Sequence, residues 1–200
     1  MTDQRDTFIR GEGITLRALR EEDLTGNWYG WFNDPDVTWF ENKGFYPNTP
    51  AKQEAFFHAQ LTDDSQVTFA VDANGVHIGN ATLKEIDWIH RTAELGLVIG
   101  EKDQWDKGHG TEVSWLVTKY AFLTLNLNKI NARIFAENER SLKAALRIGY
   151  RVEGEQAEQY YRHGKFHNVV LVGMTASQWR VLFGADDQLK FKDSRQFKEE

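Results

Sequence analysis

Two glycines bracket a histidine in the stretch QWDKGHGTE, residues 104–112. The run before it, AELGLVIG at 93–100, is apolar and β-prone. The run after it, at 111–125, spaces Val113, Trp115, Leu116, Tyr120, Ala121 and Leu123 at roughly a helical period. A strand, a glycine turn and a helix start together make an anion cradle. Glycine admits close backbone approach, and the first-turn amides of a helix have no internal partner. The same residues also read as an ordinary strand-to-helix turn, and alone they do not choose between the two. Other chemistry is easier to exclude. The chain has no cysteine, which removes disulfides, thiolate catalysis and Cys-ligated zinc. Its six histidines (His58, His77, His90, His109, His163 and His167) are scattered, with no i, i+4 pair near a third ligand, so no metal is expected. The turn is neither a Walker A loop nor a G-x-G-x-x-G fingerprint.

The elements that must hold this turn follow from periodicity and punctuation. Residues 14–19 alternate as a half-buried strand. Asp23 signals a helix start for the run 21–32, which Asn33-Asp34-Pro35 closes. Thr49 caps a helix over 51–61 with Pro50 at its first position. Strands follow at 66–72 and 76–86, joined by an Asn74-Gly75 hairpin signal, and again at 93–100. After the glycine turn and its helix come a strand at 129–136, a helix at 138–149 ended by glycine, and a last hairpin over 150–175 turning near His163-Gly164. The order is α+β, or mixed α/β. It predicts a mostly antiparallel sheet of about six to seven strands, about four helices, and one strand-turn-helix-strand parallel connection.

With 200 residues, 40% hydrophobic and 13% aromatic, the chain is large enough for one full core. We expect a single domain over 1–183, its core at 14–175, and a charged, flexible tail over 184–200 that has too few apolar residues to order itself. The net charge of −6 leaves no basic footprint for nucleic acid and favours a neutral or cationic partner. The amino-terminal residues lack a signal-type apolar core, and no run reaches membrane-spanning length, so a soluble cytoplasmic protein with no membrane partner is expected.

The element order, the turn at 105–112 and the segment NERSLKAALRIGYRVEG at 138–154 resemble the GNAT superfamily of N-acetyltransferases, nearest to the branch of ribosomal-protein alanine and spermidine acetyltransferases. The resemblance spans roughly residues 14–175. The family turn reads Arg/Gln-x-x-Gly-x-Gly/Ala. Here Trp105 stands at its first position and Gln104 one residue early, a tolerable departure because the turn works mainly through backbone amides.

The resemblance implies acetyl-CoA as co-substrate and a GNAT-like fold. It places the pyrophosphate against Trp105, Asp106, Lys107, Gly108, His109, Gly110 and Thr111, and the pantetheine along the strand end at Val98, Ile99 and Gly100. Asn138 and Ser141 match positions that touch the pantetheine or phosphates, although Asn138 also reads as a plain helix cap. Transfer to an amine needs a polarised thioester carbonyl and a base for the ammonium proton. Glu94 lies fourteen residues before Gly108, a spacing that resembles that of the general-base glutamate in histone-acetylating members. Apolar neighbours would desolvate it, but it also reads as a charge partner for Arg91 or Arg133. Glu85 is its rival.

The tyrosine that many members use as an acid is replaced by Ala145, which leaves Tyr160 or Tyr161, or no side-chain acid at all. Tyr150 reads as core. Trp31, Glu41, Glu85 and Trp88, with Asp36 and Asp87, would line the acceptor pocket and hold a cationic amine, although any one of these tryptophans also reads as core. The expected acceptor is a primary amine of a polyamine, amino sugar or amino-sugar nucleotide, or a protein N-terminus, and the expected assembly is a homodimer. A degenerate GNAT domain that binds acyl-CoA as a sensor or scaffold is the alternative.

Overall fold

The computed structural model describes residues 6–186 together with Lys190 and Phe191. In chain order it contains β1 (Thr7–Arg10), β2 (Thr15–Arg17), a 3-10 turn (Glu21–Thr25), α1 (Trp28–Trp31), α2 (Pro50–Gln60), β3 (Val67–Ala73), β4 (Val76–Asp87) and β5 (Thr92–Ile99). A second 3-10 turn (Lys102–Gln104) then leads to α3 (His109–Leu123), β6 (Lys129–Phe135), α4 (Glu139–Arg147), β7 (Arg151–Arg162), β8 (Lys165–Thr175) and α5 (Ala176–Phe183). The eight strands form one sheet in the order β1-β2-β3-β4-β5-β6-β8-β7. The expected mixed α/β class holds, with two additions to the expected count. β1 is too short to show an alternation. α5 is opened by Thr175, which accepts from the Gln178 amide at 3.2 Å.

Both predicted hairpins form. Asn74 and Gly75 adopt φ of 51° and 80°, and His163 and Gly164 adopt 49° and 79°. Two consecutive positive φ values make the tight turn whose twist matches the flanking strands.

Among the described residues the only parallel pair in the sheet is β5 with β6, and it is three residues long: Thr92 opposite Lys129, Ala93 opposite Ile130 and Glu94 opposite Asn131. Beyond Glu94 the strands part. β5 keeps its β4 partners from Leu95 through Ile99, opposite Leu83 through Gly79, while β6 continues against β8 alone. The sheet therefore forks at Glu94.

α3 packs beneath the sheet, with Val113, Trp115, Val117 and Ala121 fully buried. A smaller cluster of Leu19, Trp28, Trp31, Phe32, Val37, Phe57 and Ala70 holds α1 and α2 to the sheet. The predicted helix over 21–32 is broken in two because Asp23 is drawn inward. Its carboxylate accepts from Arg17 at 2.7 and 2.8 Å and from the Arg20 amide at 2.8 Å. Burial alone would raise the pKa of Asp23, yet hydrogen bonds from Arg17 and His77 hold it well below the usual carboxylate range.

At Phe191 the structure departs from the expected tail. The ring is buried and lies 5.8 Å from that of Trp115, in a cluster with Trp179 and Phe183 of α5. Leu189 and Phe197 lie outside the described residues. Phe191→Ala should therefore lower stability by about 3 kcal/mol, the low end for loss of a buried aromatic ring. A thermal melt that does not shift would contradict this docking.

Candidate active site

The fork opens a cavity of about 830 Å³ between β5 and β6. One end is built by the glycine turn and the start of α4. Gly108 caps α3 with φ of +84°, a left-handed conformation that a β-branched residue resists. The amides of Thr111 and Glu112 turn back to the Gly108 carbonyl at 3.1 Å, so the amides just ahead of them remain as the donors of the helix start. Glu112 fixes this start from behind, where its carboxylate accepts the amides of Glu12 and Gly13. Trp105 ties the turn to the strand end by donating from its indole to the Ile99 carbonyl at 2.7 Å. Above it, the Arg140 guanidinium lies 4.8 Å from the Trp105 ring and 3.3 Å from Asp106. Arg140, Lys143 and Arg147 all line the cavity from one side of α4. Asn138 acts as the cap of that helix, accepting the Ser141 amide at 3.1 Å, and both residues also line the cavity.

The floor is the fork itself. Glu94 is buried, and each of its oxygens meets a cation: Lys84 at 2.9 Å and Arg133 at 3.1 Å. The three side chains come from three adjacent strands, with Lys84 directly opposite Glu94 in the β4–β5 register. Glu94 is thus buried, as its apolar flanks predict, and the structure adds that an ion pair holds each of its oxygens.

The other end is roofed by the connection between α1 and α2, residues 32–49. This segment lacks regular structure and is pinned by the β7–β8 hairpin. Arg162 donates to the buried Thr38 carbonyl at 2.8 Å and lies 4.5 Å over the Phe45 ring. His163 stacks on Trp39 at 3.8 Å. Held in this way, Phe40 reaches Phe135 of β6 at 5.8 Å, and Phe135 reaches Tyr160 at 5.1 Å. These three rings line the cavity beside Glu41, Lys43 and Lys84.

Glu41 is half-buried by area and surrounded by protein beyond the cavity. Among the described residues no hydrogen bond or ion pair within 4 Å engages its carboxylate. Burial pushes its pKa up to about 7, against the opposing charges of Lys43, Lys84 and Arg162.

The cavity thus gathers Glu41, Glu94, Val98, Ile99, Trp105, Asp106, Gly108, His109, Gly110, Thr111, Asn138 and Ser141. Asp36 lines it as well, paired with Lys102 at 2.9 Å, whereas Trp31, Glu85, Asp87, Trp88, Gly100 and Lys107 stand outside it. Trp31 is a core residue whose indole donates to Glu101 at 2.9 Å. It packs flat over Gly100, where a Cβ would lie 1.9 Å from the ring, so Gly100 serves packing and lies off the cavity wall. Trp88 is exposed at the β4–β5 turn. Glu85 sits at a bulge with φ of 54°, its side chain 65% exposed and 3.8 Å from Arg133. Asp87 accepts the amides of Ile89 and His90 and so caps its own turn. Lys107 bonds to Gln104. Ala145 lines the cavity at the expected acid position. The Tyr150 hydroxyl is buried against Thr118 at 2.8 Å, and the Tyr161 ring turns to Phe166.

Sequence reading missed Lys43, Lys84, Phe40, Phe135 and the basic face of α4. Only the last had a local signal, the i, i+3, i+7 spacing of Arg140, Lys143 and Arg147. Arg162→Ala removes a charged hydrogen bond of roughly 1.5–3 kcal/mol. Amide exchange over residues 36–46 should then accelerate about ten- to a hundred-fold while β6 is unchanged. Unaltered exchange would mean that the hairpin does not hold the roof.

A family profile described as "Acetyltransferase (GNAT) domain" matches residues 14–151. The spermidine N(1)-acetyltransferase of Escherichia coli strain K12 is 26% identical over 192 residues, 92% of this chain and 97% of that protein. That of Vibrio cholerae is 30% identical over 159 residues, 78% of this chain and 89% of that protein. A crystal structure of spermidine N-acetyltransferase from Vibrio cholerae with CoA and spermine superposes with a TM-score of 0.77 at 25% identity, covering 84% of this chain and 98% of that one.

Proposed function

The chain belongs to the GNAT acetyltransferase family, and on that premise we propose that it moves the acetyl group of acetyl-CoA to the primary amine of a small molecule, with Glu41 as the base. The observation that carries the reading is the fork: a strand edge without a partner, a glycine-started helix and an unengaged carboxylate meet in one cavity. The residues present fit acetyl-CoA. The β5 edge from Leu95 to Ile99 offers backbone groups that suit the amide-rich pantetheine arm as an added strand. The turn at Gly108–Gly110 suits the pyrophosphate, and Arg140, Lys143 and Arg147 suit further phosphate charge. When bound, acetyl-CoA supplies an activated acyl group as a thioester.

The chain does the rest. Amides of β5 that face the gap polarise the carbonyl. The rings of Phe40, Phe135 and Tyr160 exclude water around the amine. Glu41 takes the ammonium proton, which frees the nitrogen lone pair. The N–C bond forms as the C–S bond breaks, and the second proton that leaves the nitrogen passes through water to the sulfur, since Ala145 offers none, the Tyr150 hydroxyl is bonded to Thr118 and the Tyr160 hydroxyl to Arg133. Glu94 positions Lys84 and Arg133 and does not itself carry the proton.

Gly110→Val should fold, because a Cβ there meets only Leu97 at 3.6 Å, but its branches enter the cavity. Calorimetry should show CoA affinity weakened at least about ten-fold. Unchanged affinity in folded protein would refute the cradle.

Glu41 acts in its ionised form, so kcat/KM should fall as pH drops through about 7, the value to which burial raises this carboxyl. Glu41→Gln should lower kcat by about 10²–10⁴ and abolish that acid limb, with CoA affinity intact. Glu94→Gln should lose stability first, because both ion pairs of a buried carboxylate are lost at once. If Glu94→Gln lost kcat while Glu41→Gln kept it, the base would be Glu94.

A further inference from the structure

Granted the amine transfer proposed above, we infer that the acceptor carries an anionic group, a carboxylate or a phosphate, in addition to its amine. The charges at the roofed end of the cavity lead there. The sequence suggested an acidic pocket built from Asp36, Glu41, Glu85 and Asp87. Of these, Asp36 and Glu41 line the cavity, and of the two only Glu41 has no cation within 4 Å among the described residues. Asp36 is paired with Lys102 at 2.9 Å, Glu85 is turned out to solvent, and Asp87 caps its own turn.

Against Glu41 stand three cations that line the same end: Lys43, Lys84 and Arg133. Glu94 is shared between Lys84 and Arg133, so this trio keeps a net positive charge. Lys84 uses one of its three donors on Glu94, which leaves the others for a ligand, while Arg133 meets Glu94 through Nε and is engaged further by Tyr160 and by Glu85 at 3.8 Å. Lys43 has no carboxylate within 4 Å among the described residues. Its ammonium lies 4.4 Å from the Phe32 ring centre and 4.7 Å from that of Phe56. The residue as a whole is exposed, yet its ammonium sits among protein atoms, and burial lowers its pKa.

On this wall Lys43, Lys84 and Arg133 stand against Glu41 and Glu94, three charges to two, and three to one once Glu41 has taken the amine proton; Asp34 and Asp36 share Lys102 at the rim, and Glu85 is exposed beyond Arg133. A polyamine, the acceptor named for the relatives, would bring further ammonium groups beside Lys43 and Lys84, where like charges a few ångströms apart repel. An acceptor with one amine and one anion satisfies both sides. Its amine lies by Glu41 and the aromatic rings, while its anion takes the spare donors of Lys84 with the charges of Lys43 and Arg133 beside them. The same arrangement accounts for the buried Glu94: a carboxylate there keeps two cations side by side without a ligand present.

The test is a CoA-release assay on the full chain with matched acceptors, after calorimetry has shown that the preparation binds acetyl-CoA. γ-Aminobutyrate is compared with 4-aminobutanamide, glucosamine 6-phosphate with glucosamine, and all of these with spermidine. An anionic member should exceed both its uncharged counterpart and spermidine at least ten-fold in kcat/KM, and whichever pair shows the ratio tells carboxylate from phosphate. Lys43→Gln and, separately, Lys84→Gln should reduce that ratio at least five-fold, with CoA affinity retained. Spermidine or the uncharged amines reacting as well as the anionic ones would overturn the inference and leave acetyl transfer standing. Tight CoA binding with no amine acetylated would overturn the transfer reading and this inference with it.

Discussion

The parallel pairing of β5 with β6 lasts three residues and then fails, and the rest of the structure is arranged around that failure. Backbone amides and carbonyls that leave a sheet must find other partners, since buried ones without any are costly. Here β5 remains satisfied on its β4 side through Ile99 and presents its other edge to a cavity. A ligand rich in amide groups can complete that edge, as an added strand would. The split is stable because both sides are braced independently: β6 by β8 along its whole length, and β5 by β4 above the buried face of α3.

A fork in a sheet also concentrates charge. Side chains from β4, β5 and β6 converge where the strands part, and Glu94, Lys84 and Arg133 meet there. A buried carboxylate between two cations is held against desolvation by their fields. That favours a fixed scaffold over a proton carrier, whose lone pairs must be free to accept. Glu41 has the opposite character, with few partners and a burial-raised pKa. Two carboxylates in one cavity are thus pushed toward different tasks by their surroundings.

What the sequence made legible follows from how local each cause is. Asn74-Gly75 and His163-Gly164 announce their hairpins because the turn geometry resides in those residues alone. Gly108 announces the start of α3 for the same reason, and the resemblance carried by residues 105–112 and 138–154 supplied a ligand for it. The fork was not legible, since nothing in residues 92–99 or 129–135 states where two strands distant in sequence will part. Trp31 and Gly100 illustrate the same limit. Each suggested a ligand contact by its type, and each is explained by the other once they are brought together across 69 positions of chain. The roof over 32–49 has no period to read, and Arg162, which holds it, lies more than a hundred residues away.

The central claim is that the free edge of β5 receives acetyl-CoA, and amide hydrogen exchange measured residue by residue tests it most directly. Without ligand, the amides between Leu95 and Ile99 that face the gap should exchange faster than those bonded to β4. Saturating acetyl-CoA should slow that set, together with the amides of His109 and Gly110, and leave β7 and β8 unchanged. Protection that appeared elsewhere, with the β5 edge exchanging as before, would contradict the account.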